Sequence, residues 1–338
     1  MLEFGPVCLG TVSFGNRNSE QEGLQLLDAA SAQNIHFWDT AEMYPSPPRP
    51  ETFGASEKII GKWFASRRRR QDIILATKIA GWSGGLYPWI RGSENRLNRK
   101  NIHEAINGSL RRLRTDYIDL VQTHWPDRHA CKYGLRTTIV PPIPDETPIE
   151  ETLDALNDAV RAGKVRAIGV SNETPWGVMQ HLRIAEKNNW PLIASVQNGY
   201  NLLNRLAEEG LAETCTREKL AFLAYSPLAA GALTGKYLNG VVPEGSRRAV
   251  DPRKPRYASP NADQTIQKYI AAGTRYGLTP IETALGWVVG QDFITSTIVS
   301  ATSLEQLNTV IMALRTKLPT ELVDEINQIH KNNPNPSP

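Results

Sequence analysis

A chain of 338 residues with 40% hydrophobic and 22% charged residues has room for two ordinary domains or one large one, and this composition excludes long disorder, collagen and a coiled-coil rod for most of its length. The 38 Lys+Arg against 35 Asp+Glu leave a net charge of +3, too small to argue for nucleic acid. No stretch approaches ~18 unbroken apolar residues, so no membrane-spanning helix is expected. The N-terminus, MLEFGPVCLGTVSFG, has neither a basic start nor a small-residue cleavage site and reads as part of the fold. Cys8, Cys131 and Cys215 lie far apart, an odd set with neither metal nor redox spacing, which points to a reducing, cytoplasmic interior and to no bound metal.

Along the chain, short apolar runs alternate with amphipathic segments. PVCLG (6–10) is followed by a predicted helix over Glu20–Asn34, with Leu24, Leu27 and Ala30 at helical spacing. IHFWDTA (35–41) precedes Glu57–Arg67, DIILATKI (72–79) precedes Arg99–Leu113, and YIDLVQTHW (117–125) precedes Ile149–Ala162. VRAIGVSN (165–172) leads to Thr174–Lys187, where Thr174-Pro175 reads as a cap with proline at the first helical position. IASVQNGYN (193–201) leads to Leu206–Lys219, then come LAFLAYSPL (220–228) and STIVSATS (296–303). Ser303-x-x-Gln306 resembles a capping box before LEQLNTVIMAL. The runs are rich in Ile, Val and Leu and apolar on both faces, as buried parallel strands are.

Eight such units fit a (β/α)8 TIM barrel spanning residues 1–330, with long loops at its C-terminal face. The rival, a doubly wound sheet, needs a phosphate-binding glycine turn after its first strand, and LGTVSFG is not GxGxxG. GALTGK (231–236) is one residue short of a phosphate loop, with Tyr237 where Ser or Thr is needed. Residues 43–56 and 126–148 would rise over the active face, and a third connection, 238–262, carries Arg247, Arg248, Arg253, Lys254 and Arg256. Arg67–Arg70 reads as a solvated helix end, with a nuclear localisation run as the alternative, and the tail at 331–338 as disordered.

In a barrel, polar residues at the C-terminal ends of strands are the first place to look for chemistry. The second run ends in Asp39 with Tyr44 just beyond, the third in Lys78, the fourth in His124. A phenol of pKa ~10 exchanges protons poorly near neutrality, and an adjacent ammonium lowers that value. A carboxylate keeps the lysine charged, and a histidine at the same depth can orient a carbonyl oxygen. The set suits proton transfer to a carbonyl being reduced, or from an alcohol being oxidised. Singly, each residue is better read as structural: a snorkelling lysine, a satisfied histidine, an aspartate in a turn. Together, on neighbouring strand ends, they favour a site.

Seven motifs in order, WDTAEMY (38–44), ATKI (76–79), LVQTHWPD (120–127), GKVRAIGVSN (163–172), SVQNGYNLLNR (195–205), AYSPLAAGALTGKYLNG (224–240) and SATSLEQL (300–307), resemble the aldo-keto reductase family, most closely its bacterial Tas-like branch. The resemblance implies NADPH-dependent reduction of aldehydes or ketones, with Tyr44 as general acid, Lys78 lowering its pKa, Asp39 paired to Lys78 and His124 orienting the carbonyl. It implies that Ser171, Asn172 and Gln197 hold the nicotinamide carboxamide, that Tyr225 stacks on the ring, and that Thr11 and Asp39 also line the cofactor. Ser226, Pro227, Leu228, Ala229 and Gly231 with Lys236 would wrap the pyrophosphate, Arg247 would reach the adenosine phosphates, and Ser300, Thr302 and Gln306 would bind the adenosine end. Trp82, Trp89 and Trp125, with Tyr44, would line an aromatic substrate pocket, with packing roles as the alternative.

Three departures follow. The chain opens close to its first strand, so the N-terminal hairpin that plugs the barrel floor in many relatives is expected to be shortened or absent. Ser300 and Gln306 stand where some relatives carry Lys and Arg for the 2′-phosphate, and Val310 replaces a common adenine-facing asparagine. NADP(H) is nonetheless expected over NAD(H), with Arg247 and Lys236 compensating. Two rivals remain: a cofactor-binding channel-accessory subunit, which the family includes, and an NAD-linked alcohol or sugar dehydrogenase. The expected partner is a small-molecule carbonyl substrate, with neither nucleic acid nor membrane, and a homo-oligomer stays open.

Overall fold

A computed structural model of the chain describes residues 2–92, 95–130, 145–251 and 256–337. Cys131, Arg253 and Lys254 therefore lie outside the described residues, as does most of the 126–148 connection. Eight strands, β1 (Val7–Gly10), β2 (Phe37–Asp39), β3 (Ile74–Ile79), β4 (Ile118–Thr123), β5 (Val165–Ser171), β6 (Ser195–Gly199), β7 (Ala221–Tyr225) and β8 (Ser296–Val299), pair in parallel and close on themselves in chain order. Around them stand α1 (Glu20–Ala32), α2 (Ala55–Arg67), α3 (Arg99–Leu113), α4 (Ile149–Arg161), α5 (Pro175–Lys187) and α6 (Leu211–Arg217). The β7–β8 connection carries α7 (Arg247–Val250), α8 (Pro260–Arg275) and α9 (Pro280–Val289), and α10 (Leu304–Ala313) and α11 (Thr320–Asn332) follow β8. This is the TIM-barrel architecture that the strand spacing implied.

The pleat explains where the chemistry sits. Side chains two residues apart along a strand share a face. Cys8, Phe37, Ala76, Leu120, Leu223 and Ile298 form one apolar cluster in the barrel. Two residues further along the same strands stand Asp39, Lys78, Gln122 and Tyr225, so the inward layer turns polar towards the C-terminal end. Alternate residues pack outward: Trp38 lies edge-on to Trp63 of α2, with ring centroids 4.7 Å apart. Gly61 lets α2 approach α3, because a Cβ there would strike Arg112 O and lie 2.8 Å from the carbonyl carbon of Leu113.

Several local expectations change. Leu206–Lys219 is not one helix: a 3-10 turn at Leu206–Glu208 is separated from α6 by Gly210, whose φ of 98° no continuous helix tolerates. Ser303 caps α10 through Gln306 N, but the return bonds to Gln306 Oε1 come from Thr302 N and Oγ1 rather than from Ser303, so the box is shifted by one residue. The tail at 331–338 is not disordered as far as it is described: α11 runs to Asn332, and Asn335 Oδ1 accepts from Arg205 N at 2.6 Å. The barrel floor is covered despite the absence of an N-terminal hairpin among the described residues, since Leu2 and Phe4 pack on the apolar cluster and Phe4 lies 5.1 Å from Phe37. Arg67–Arg70 is more than a solvated end: Arg67 pairs with Asp28, Arg69 with Asp72, and largely buried Arg70 with Asp119 and Tyr117 O.

Candidate active site

Lys78 stands at the centre of the polar layer. Its side chain is 1% exposed, and its ammonium donates to Asp39 Oδ2, to Thr40 O at 2.8 Å and to Tyr44 Oη at 3.4 Å. Two neighbouring strand exits, β2 with its following loop and β3, thus bring one cation, one carboxylate and one phenol together. Asp39 Oδ1 accepts from Gln197 Nε2 at 2.8 Å and Gln122 Nε2 at 3.4 Å. Gln122 was not singled out from sequence; its signal is a lone amide inside the apolar run of β4. Gly169, its neighbour in register on β5, leaves the amide room, because a Cβ there would meet Ser195 Oγ and lie 3.3 Å from Gln122 Cγ.

His124 packs edge-on to Tyr44, ring centroids 5.7 Å apart. Of its two ring nitrogens only Nδ1 is both buried and unpartnered, which leaves Nε2 at the accessible edge of the ring. Burial, reinforced by Lys78, holds the imidazole well below its ordinary pKa, so it is neutral at pH 7. Burial pulls the Lys78 ammonium down, but Asp39 and Tyr44 together outweigh it, and its pKa ends above the ordinary lysine value. The Tyr44 phenol runs against expectation: burial raises its pKa more than Lys78 lowers it, so it holds its proton throughout the neutral range.

The remaining sequence-derived positions stand at or just beyond the C-terminal ends of the strands. Thr11 Oγ1 donates to Asp39 O at 3.1 Å, and Ser171 Oγ to Gln197 O at 2.8 Å. Asn172, in the left-handed region at φ 54°, donates to His124 O at 2.9 Å and accepts from Tyr225 Oη at 2.5 Å. Arg256 Nη1 donates to the same phenol at 3.2 Å. Beyond Tyr225, Ser226, Ala229, Ala230 and Gly231 all have positive φ, so the segment through Pro227 and Leu228 curls into a concave belt. A side chain at Gly231 would lie 3.2 Å from Lys236 Nζ, which is how closely that ammonium folds over the belt. Arg247 acts electrostatically on both Tyr44 and Arg17. Ser300 and Gln306 are exposed and Thr302 partly so, at the β8–α10 turn. Ser226, Pro227, Leu228 and Ala229, with no charged side chain among them, offer backbone groups, one hydroxyl and apolar surface.

The tryptophans divide. Trp89 and Trp125 cluster with Tyr44, and with Phe53 and Tyr87, which were not singled out. The Trp82 ring instead packs on Arg96, 4.5 Å from its Cζ, and near His129, while its carbonyl holds Trp125 Nε1 at 2.8 Å. A buried pair fixes this aromatic wall: Arg91 Nη1 donates to Glu42 Oε2 at 2.5 Å and Arg91 Nη2 to Ala80 O at 2.9 Å, while Glu42 Oε1 accepts from Ala80 N. Sequence reading missed this pair and Arg17, because a charged residue in a loop shows no periodicity.

The chain matches the Aldo/keto reductase family over residues 6–331. It belongs to that family. Among its relatives is Protein tas of Escherichia coli (strain K12), 43% identical over 337 residues, covering 100% of this chain and 97% of the relative. L-glyceraldehyde 3-phosphate reductase of the same strain is 30% identical, covering 89% and 81% of the two chains. A probable voltage-gated potassium channel subunit beta of Oryza sativa subsp. japonica is also 30% identical, covering 96% and 92%. As a member of the aldo/keto reductase family, and of its Tas-like branch, the protein is an oxidoreductase. The family acts on small carbonyl compounds and typically uses a nicotinamide cofactor. Among the described residues, no helix is long and apolar enough to cross a membrane.

Proposed function

We propose that the protein reduces aldehydes or ketones to alcohols with NADPH in the cytoplasm, and that Tyr44 is the general acid. The observation that carries this reading is the buried Lys78 ammonium 3.4 Å from Tyr44 Oη. The donor set fits a dinucleotide: a belt of left-handed residues beside Lys236 and Arg247 for its phosphates, and the amides of Asn172 and Gln197 next to Tyr225 for its carboxamide end. When bound there, the nicotinamide supplies a hydride.

Tyr44 keeps its proton until charge develops on the carbonyl oxygen, because burial disfavours the phenolate. As that charge grows, the phenol releases its proton to the oxygen, and Lys78 stabilises the phenolate left behind. Asp39 holds Lys78 in place, and Gln197 and Gln122 satisfy the other oxygen of that carboxylate. His124, neutral at working pH, can present its accessible nitrogen as a hydrogen-bond donor that orients the carbonyl without competing as an acid. Trp89, Trp125, Phe53 and Tyr87 give the substrate an apolar, aromatic wall and exclude water. Trp82 supports that wall through its carbonyl.

Tyr44→Phe should abolish NADPH-dependent reduction of 4-nitrobenzaldehyde and leave NADP+ binding intact. Tight NADP+ binding by the unaltered protein, with no turnover across a broad carbonyl panel, would replace this reading with an accessory-subunit role. A preference for NAD+ and for alcohol oxidation would replace it with a dehydrogenase.

A further inference from the structure

The loop between β1 and α1 carries one charged residue over 11–19, Arg17. That loop is held on three sides. Gly15 N donates to Asn18 O at 2.9 Å within it, Asn18 Nδ2 donates to Thr302 O at 3.0 Å on the β8 side, and Ser56 Oγ donates to Phe14 O at 2.9 Å from α2. Arg17 is largely buried, yet its Nε has no hydrogen-bond partner, and no carboxylate among the described residues pairs with it. Its Nη nitrogens are not among the buried unpartnered atoms, so the guanidinium fork reaches accessible space. Its electrostatic neighbours are another cation, Arg247, and the phenol of Tyr237.

Tyr237 repeats the pattern. The residue is 2% exposed and its hydroxyl is buried without a partner. Lys236 Nζ lies 5.2 Å from its ring centroid and Arg248 Cζ 4.1 Å. Arg17, Lys236, Arg247 and Arg248 thus gather around two buried donors with nothing to donate to, an arrangement that a polyanion would complete.

We propose that Arg17 and the Tyr237 hydroxyl clamp the pyrophosphate of the dinucleotide from the β1 side, opposite Lys236 and Arg247. The inference rests on the dinucleotide reading above. It assigns Arg17 to the pyrophosphate rather than the 2′-phosphate because its charged and phenolic neighbours belong to the belt and α7, not to the 300–306 turn. Burial and the repulsion of Arg247 pull the Arg17 guanidinium down to about 10, a direction that a bound anion would reverse.

The test is equilibrium titration of tryptophan fluorescence with NADP+ and, separately, NAD+, which share the pyrophosphate and differ in the 2′-phosphate. Arg17→Met should weaken both by the same factor, about 10- to 100-fold for a lost charge-assisted hydrogen bond. Arg17→Lys should recover part of the loss, and Tyr237→Phe should lose several-fold. Thermal melts of the free variants, unchanged because Arg17 makes no hydrogen bond among the described residues, separate binding from folding. Unchanged affinity for both dinucleotides in Arg17→Met overturns the inference, as does a loss confined to NADP+. If the unaltered protein binds neither, this inference falls with the dinucleotide reading; if it binds both and Tyr44→Phe retains turnover, the catalytic reading fails and this one stands.

Discussion

Lys78→Met tests the site at its most buried point. The ammonium is 1% exposed and Asp39 3%, so removing the cation leaves a carboxylate away from water. Asp39 Oδ1 keeps Gln197 and Gln122, but Oδ2 loses Lys78, the only partner described for it. Breaking such a buried pair costs about 3–5 kcal/mol. Removing both charges is a different perturbation, because two isosteric neutral side chains carry no uncompensated charge. Asp39→Asn with Lys78→Met should therefore regain roughly 2 kcal/mol or more over Lys78→Met alone. Both variants should lose turnover, since neither can stabilise a Tyr44 phenolate. Urea unfolding followed by tryptophan fluorescence reads the stabilities, and NADPH consumption reads the activity. The reasoning fails if Lys78→Met costs less than ~1 kcal/mol, or if the double variant is as unstable as the sum of the single ones.

The rate of reduction should be flat between about pH 6 and 9, because neither ring titrates in that window: His124 is held neutral by burial and Lys78, and burial holds Tyr44 protonated. An acid limb near the ordinary histidine value would refute the placement of His124. The same shift has a stability consequence of fixed sign. With a folded pKa below the unfolded one, the unfolded chain takes up protons first, so His124 and His181, also depressed chiefly by burial, lower stability as pH falls below about 6.5. Acid denaturation midpoints of His124→Gln and His181→Gln should show a weaker pH dependence than the parent. Arg91→Met leaves Glu42 buried and frees the loop bearing Tyr87 and Trp89; stability should drop by about 3–5 kcal/mol and KM should rise more than kcat falls. Steady-state kinetics on an aromatic and an aliphatic aldehyde checks this, and equal effects on both would contradict the wall. Gly61→Ala should cost about 1–3 kcal/mol by forcing α2 from α3, measured by urea unfolding, with a neutral result refuting the close approach.

The eight strands were legible because parallel barrel strands are apolar on both faces and read as short continuous runs. Their order and pairing match the expectation strand for strand. The helices were legible where an amphipathic stripe is long, as in α3, and not where a single residue breaks it. Gly210 splits Leu206–Lys219, and α8, α9 and α11 are helices beyond the one that each strand run leads to. The tail looked disordered by composition, yet Asn335 supplies the backbone of Arg205 with an acceptor, a contact across 130 positions that no local pattern encodes.

The alternation of eight apolar runs with amphipathic segments set the fold, and the strand pleat then fixes which residues point inward: a period of two puts Asp39, Lys78 and Gln122 one layer above Phe37, Ala76 and Leu120. Motif order, in turn, identified the family. Only closing the barrel decided the electrostatics. It buried Tyr44 deeply enough that desolvation outweighs the nearby ammonium, set Trp82 apart from Trp89 and Trp125, and joined Arg91 to Glu42 across 49 positions. Charge in a low-dielectric interior depends on what surrounds it in space, and loop charges carry no spacing by which a sequence could announce their partners.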